Sequence, residues 1–265
     1  MSAQQKADTK MNKKDKLTDT FKSTDKNLEI KPIEIDDDKF NKVDLGPFTF
    51  PSCIITLGKV ASGKTTFLAN LIRILEPVFK GNVILFSPTL ANDPILDKLI
   101  EDDEILEFFD NYSNGTLKSV LETIGETDED QKYFIIFDDI LGSLPRANSR
   151  DATFFDKFIS TFRHGGSFGA KEGQVSMCFC VQYFNSLTPV LRTNATYYAL
   201  LGAQGSKQLK KLSEELAAAT GEDEDDFMRV YQESKQKPYD FLFLDMRKLK
   251  AYRNLNQLLY SKNPD

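Results

Sequence analysis

The chain has 265 residues, enough for one large α/β domain, or one domain and a tail. Hydrophobic residues make up 40% and charged residues 28%, which are ordinary values for a soluble globular protein. A net charge of −6 argues against a passive nucleic-acid coat, a class that is usually basic, but leaves room for a motor with a local basic patch. Cys53, Cys178 and Cys180 are odd in number and lack zinc-ligand spacing, so they read as reduced core residues of an intracellular protein. The longest apolar runs fall far short of the ~18–20 residues of a membrane span, and the N-terminus has no apolar signal core, so no membrane insertion is expected.

Residues 1–45 differ from the rest. From Met1 to Lys31 there are eight Lys and five acids with few large apolar residues, too little to offset the entropy of ordering, and the segment reads as a flexible charged tail. Residues 46–265 read as one domain of alternating strands and helices. Phe48 to Leu57 predicts a strand leading into a glycine-bearing turn. Thr65 to Leu75 has helical spacing, with Phe67, Leu68, Leu71, Ile72 and Leu75 on one apolar face. Asn82 to Phe86 predicts a second strand, followed by helices near Ile95 to Phe109 and Leu117 to Ile124. Tyr133 to Phe137 is a continuous apolar run of the kind buried on both faces of a parallel sheet. A helix is expected over Ala152 to Phe162, and strands over Val175 to Val181 and Thr196 to Leu201. Helices near Ser206 to Ala218 and Asp225 to Glu233 follow, and Tyr239 to Leu244 is expected to close the sheet. This alternation predicts a mostly parallel sheet covered by helices on both faces, a three-layer α/β sandwich.

The segment Gly58-Lys59-Val60-Ala61-Ser62-Gly63-Lys64-Thr65 fits G-x-x-x-x-G-K-[ST] in full, and Thr66 extends it. An apolar strand precedes it and an amphipathic helix follows, as the phosphate-binding mechanism requires. The glycines let the backbone close around an anion, and its N–H groups converge there at the helix N-terminus. Lys64 is expected on the β- and γ-phosphates of ATP, and the Thr65 hydroxyl on Mg²⁺. Such a site also needs a carboxylate at the end of a neighbouring strand. Asp138 fits as the residue that holds the metal, with Asp139 polarising the attacking water as general base. Either could instead cap a helix.

Gln182 ends the strand after these acids and is a candidate γ-phosphate sensor, or else a turn residue. Arg163, in Thr161-Phe162-Arg163-His164-Gly165-Gly166, could reach a neighbouring subunit's γ-phosphate. Arg192 is the second candidate, and either could be a surface ion-pair partner. His164 is the single histidine, which excludes chemistry built on histidine pairs. Lys207, Lys210 and Lys211 could grip DNA or form a solvated helix face.

The P-loop, the apolar strand ending in Asp138-Asp139, the Arg163-His164 segment, the strand ending in Gln182 and Leu191-Arg192-Thr193-Asn194 occur in an order that resembles the FtsK–HerA superfamily, in particular the packaging ATPases of large DNA viruses and virophages, the poxvirus-like branch. The resemblance spans about residues 46 to 245 and implies a RecA/FtsK-like P-loop NTPase fold. It also implies ATP and Mg²⁺ as cofactors, Asp139, Gln182 and Arg163 as catalytic residues, and Thr65 with Asp138 as metal ligands. Such proteins form rings, typically hexamers, that drive double-stranded DNA into a preformed capsid with a capsid or portal partner, in the host cytoplasm or at a viral assembly site. Here the arginine segment reads RHGGSFG, longer and more glycine-rich than the family's compact form. Two rival readings are a small-molecule kinase, which would need several arginines over the phosphates, and a nucleotide-gated scaffold that hydrolyses ATP negligibly.

Overall fold

Buried apolar runs too short for helices become the central strands of one sheet, and the amphipathic segments between them become its cover. A computed structural model describes residues 45–89, 93–140, 150–165 and 168–262, so the expected tail over residues 1–45 lies almost wholly outside them. The strands are β1 (Cys53–Leu57), β2 (Val83–Phe86), β3 (Glu107–Phe109), β4 (Tyr133–Asp138), β5 (Val175–Val181), β6 (Tyr197–Leu200), β7 (Leu242–Asp245), β8 (Lys250–Arg253) and β9 (Gln257–Ser261). The helices are α1 (Lys64–Phe79), α2 (Pro94–Glu101), α3 (Asn114–Gly125), α4 (Arg150–Thr161), α5 (Pro189–Asn194), α6 (Ser206–Leu216) and α7 (Glu224–Glu233).

Among the described residues, nine strands lie in the order β3-β2-β4-β5-β1-β6-β7-β8-β9. From β3 to β6 every pairing is parallel, and from β6 to β9 every pairing is antiparallel. Side chains alternate between two cores. Ile55, Ile135, Phe137, Met177 and Phe179 face α3, α4, α6 and α7, whereas Ile54, Phe134, Ile136, Cys178 and Cys180 face α1 and α2. This is the expected three-layer sandwich. The cysteines are free and buried, and burial pushes the Cys53 thiol well up, as suits an inert core group.

Three expectations need correction. The predicted helix to Phe109 ends at Glu101, because the acidic run that follows turns through Asp103 at φ 57° and the chain re-enters the sheet as β3. Residues Tyr239 to Leu244 do not close the sheet: β7 begins at Leu242, and the antiparallel strands β8 and β9 extend it further. The strand predicted from Phe48 starts only at Cys53, since Pro51 has no N–H to offer a ladder.

Four phenylalanines explain part of the chain's Phe content. Phe109, Phe86, Phe137 and Phe179 occupy one register level across β3, β2, β4 and β5. Their rings stack in sequence at centroid distances of 4.9, 5.3 and 4.6 Å. Each such pair stabilises by about 0.5–1.5 kcal/mol beyond its buried area. The ladder sits one residue below Ser87 and Asp138, so it fixes the height at which both polar groups leave the sheet. Among the described residues, no helix is long and apolar enough to cross a membrane.

Candidate functional site

In an open parallel sheet, ligands gather beyond the carboxyl ends of the strands, where the backbone turns into helices. The loop from Gly58 to Gly63 leaves β1 at this end and runs into α1. Its shape depends on specific backbone freedoms. Gly63, at the N-terminus of α1, has φ 87°, a region in which glycine carries no steric cost. A Cβ at Gly58 would lie 2.2 Å from Ser62 Oγ and 3.1 Å from Leu201 Cβ, so any larger residue there would press on both side chains.

The residues expected to hold a triphosphate lie along this loop. Lys64 Nζ donates to the carbonyls of Gly58 at 2.8 Å and Lys59 at 3.2 Å, which holds the ammonium across the mouth of the loop. The Ser62 hydroxyl is buried with no hydrogen-bond partner among the described residues, a donor left for an incoming oxygen. A cavity of about 860 Å³ runs along the loop and is lined by Lys59, Ala61, Ser62, Lys64, Thr65 and Thr66 among others. These residues fit a magnesium–nucleotide complex: a cationic head, exposed loop amides and a hydroxyl beside carboxylates.

The two acids stand one strand further from the loop than the sequence suggested. The strand adjacent to β1 is β5, and β4 lies beyond it. The end of β5 bridges the gap through consecutive carbonyls. Gly58 N donates to Val181 O at 3.0 Å, and Asp139 N donates to Cys180 O at 3.1 Å. One strand end thus sets the spacing between phosphate loop and acid pair.

Asp138 Oδ2 accepts from Ser87 Oγ at 3.0 Å and from Thr89 Oγ1 at 3.4 Å. Burial pushes its carboxyl above the usual range and Asp139 adds to the push, while the Ser87 and Thr89 hydroxyls and the charge of Lys64 oppose it. Asp139 has φ 49°, a left-handed backbone that Asp tolerates better than most residues. Its Oδ2 accepts from Gln182 Nε2 at 3.0 Å, so the general-base and sensor candidates share a hydrogen bond.

Sequence reasoning missed Ser87, Thr89 and Asp93. Ser87 and Thr89 leave the carboxyl end of β2 directly after an apolar strand, which was a usable signal. Asp93 caps α2, accepting from Ile95 N and Leu96 N, and its Oδ2 also accepts from Thr65 Oγ1 at 3.0 Å. Thr65 spends its proton on Asp93, which leaves its lone pairs to face a metal.

Arg163 is not brought to this site. Its Nη2 donates to Asn194 O at 3.0 Å and lies 3.4 Å from Thr196 Oγ1, a group that also accepts from Cys53 N at the start of β1. It therefore sits at the opposite end of the sheet from its own phosphate loop. Arg192 lies near it, with Nε 3.1 Å from Glu215 Oε2. His164 is exposed. Of the lysines on α6, Lys207 and Lys210 are exposed, and Lys211 lies 3.7 Å from Glu215 Oε1.

The genome packaging NTPase B204 of Sulfolobus turreted icosahedral virus 2, in complex with AMP, superposes with a TM-score of 0.56 at 13% identity, covering 76% of this chain and 96% of its own. The structure of B204 described as the DNA-packaging ATPase of Sulfolobus turreted icosahedral virus gives the same TM-score at 13% identity, covering 77% and 96%. The pCW3 conjugation coupling protein TcpA, with ATPγS, gives 0.51 at 11% identity, covering 88% and 71%. At such identities the likeness is one of fold. No curated protein has a matching sequence. The profile of the family described as Poxvirus A32 protein matches residues 37–242, a stretch that holds the phosphate loop, both acids and Gln182. The chain belongs to the Poxvirus A32 protein family.

Proposed function

We propose that this protein is an ATPase that drives double-stranded DNA into a preformed viral capsid. The observation that carries the reading is the convergence of Lys64, Thr65, Asp138, Asp139 and Gln182 at one sheet end, tied together by the last two carbonyls of β5. The family and the fold of the packaging NTPase B204 support the biological assignment.

In this reading, Lys64 and the loop amides hold the β- and γ-phosphates, and Thr65 and Asp138 hold Mg²⁺. The metal, when bound, offsets charge on the phosphate oxygens. Asp139 accepts the proton of the attacking water, and Gln182 holds the Asp139 carboxylate in place and reports loss of the γ-phosphate. Arg163 acts on the nucleotide of a neighbouring copy, which requires a homo-oligomeric ring, taken as a hexamer. A capsid or portal protein is the docking partner, and the host cytoplasm or viral assembly site is where the ring works. The kinase reading is weaker, since no arginine is among the described residues lining the nucleotide cavity.

The test is steady-state ATP hydrolysis by purified protein with and without duplex DNA, alongside oligomer mass with ATP. DNA-stimulated turnover by a ring is expected. Failure to bind nucleotide with magnesium, or turnover indifferent to DNA, would sink the motor.

A further inference from the structure

The nucleotide cavity has a second half that the phosphate chemistry does not use. Away from Lys64 it is walled by Asn70 and Ile74 of α1 and by Tyr239, Phe241 and Asn256 from the segments flanking β7 and β8. Tyr239 is the unusual member. The residue is 74% exposed, although its ring edge packs against the phosphate loop: Cδ1 lies 3.4 Å from where a Gly63 Cβ would be. Its backbone has φ 68°, which a bulky residue adopts only at a cost.

That strained position is held from several sides. Lys237 N donates to Asp240 Oδ2 at 2.9 Å, and Asn254 Nδ2 donates to Asp240 Oδ1 at 3.1 Å. Lys235 Nζ bridges the carbonyls of Leu200, at the end of β6, and Asp240, at 2.6 and 3.1 Å. The turn that carries Tyr239 is thereby fastened to the strand end beside the phosphate loop. Beneath it, Phe241 packs edge-on against Phe67 of α1, with centroids 5.0 Å apart. An exposed aromatic ring, set in costly backbone geometry by this network and aimed into a cavity whose other end is a phosphate cradle, is unexplained by packing.

We infer that Tyr239 is the stacking platform for the nucleobase of the bound nucleotide, with the apolar wall of Ile74 and Phe241 completing a base subsite. The inference rests on the nucleotide-binding part of the proposed function and adds a residue to it. Phosphates enter the loop at Gly63 to Thr66, and the base leaves along the first turns of α1 onto the ring. Stacking on an aromatic face tolerates different bases, so this contact supplies affinity and orientation more than discrimination.

The experiment compares two ligands with magnesium: the non-hydrolysable analogue AMP-PNP, which has a base, and inorganic tripolyphosphate, which has none. Tyr239→Ala should weaken AMP-PNP by about 10-fold and leave tripolyphosphate unchanged, while Tyr239→Phe should bind both as wild type does. The chain contains no Trp, so Tyr239→Trp introduces one indole whose emission should be quenched by AMP-PNP and not by tripolyphosphate. Equal AMP-PNP affinity for wild type and Tyr239→Ala, or equal losses for both ligands, would overturn the platform and leave the phosphate site standing. Wild-type protein that binds neither ligand would overturn the nucleotide site and the platform together.

Discussion

Gln182 Nε2 donates to Asp139 Oδ2 at 3.0 Å, joining the residue just past β5 to the residue just past β4. The bond spans two neighbouring strand ends, so displacing Gln182 moves the carboxylate on which water activation depends. Asp139→Asn should keep nucleotide affinity near wild type and lower turnover by roughly 10²–10⁴-fold, the range expected for loss of a general base. Gln182→Ala should lower kcat by less and leave nucleotide affinity within about two-fold, because it removes an orienting bond and no phosphate ligand. Stopped-flow binding together with phosphate release separates these effects. Normal turnover by Asp139→Asn would remove it as the base.

Asp138 makes a pH-dependent trade between stability and metal binding. Burial raises its carboxyl pKa, so the folded chain keeps a proton that the unfolded chain has already lost. Stability from this group is fullest at low pH and falls as pH rises from the ordinary aspartate value near 3.8 through the raised folded value. Asp138→Asn keeps a neutral acceptor for Ser87 at every pH. Thermal melts of nucleotide-free protein should show little difference between the two proteins at the acid end and a higher Tm for the variant towards neutrality, alongside weaker magnesium-dependent nucleotide binding. A Tm difference that does not change with pH would contradict this account of the buried charge.

Asp93 joins the phosphate loop to α2, since one carboxylate caps the helix and receives the Thr65 hydroxyl. Asp93→Ala removes both. Loss of the cap should cost about 1 kcal/mol of stability, read from chemical denaturation, and the freed Thr65 rotor should raise the magnesium concentration needed for half-maximal turnover. Asp93→Ser restores a cap with a shorter side chain, so it should recover most of the stability and little of the magnesium response. Recovery of both together would assign Asp93 to the helix alone.

The parts of this architecture that the sequence announces are those written in local pattern. β4 and β5 are continuous apolar runs because helices cover both sheet faces, and β5 spans the predicted Val175 to Val181. The phosphate loop is a single local turn with fixed glycines, so its residues could be named in advance. The contact between Thr65 and Asp93 is different in kind: the residues are 28 positions apart and no periodicity links them. β3 hides behind an acidic run and has only three residues at the sheet edge. β8 and β9 escape because their outer face is partly exposed, with Leu258 51% accessible, so the alternation that marks a half-buried strand is blurred. The Phe ladder is legible as composition but not as geometry, since stacking is set by register between strands far apart in the chain.

Arg163 tests whether hydrolysis is shared between copies. Its guanidinium is half-buried at the sheet end opposite the phosphate loop and lines a cavity of about 490 Å³ with Arg192, Glu215 and Arg247. Burial, with Arg247 nearby, lowers its pKa, yet a guanidinium stays charged at any working pH. Its Nε is buried and has no hydrogen-bond partner among the described residues. Its own phosphate loop is out of reach, so any nucleotide it acts on belongs to another copy. Arg163→Ala alone and Lys64→Ala alone should each be nearly inactive, the first for want of the charge that stabilises the transition state and the second for want of a phosphate ligand. In mixed rings, a Lys64→Ala subunit still offers Arg163 to a neighbour whose phosphate loop is intact. Activity should therefore return in part, and its dependence on mixing ratio should follow the number of adjacent complementary pairs. Since Arg163 also holds the Asn194 carbonyl, Arg163→Lys is the control for folding: it should retain the melting temperature and still fail to hydrolyse. Verified mixed rings with no recovery would confine Arg163 to structure.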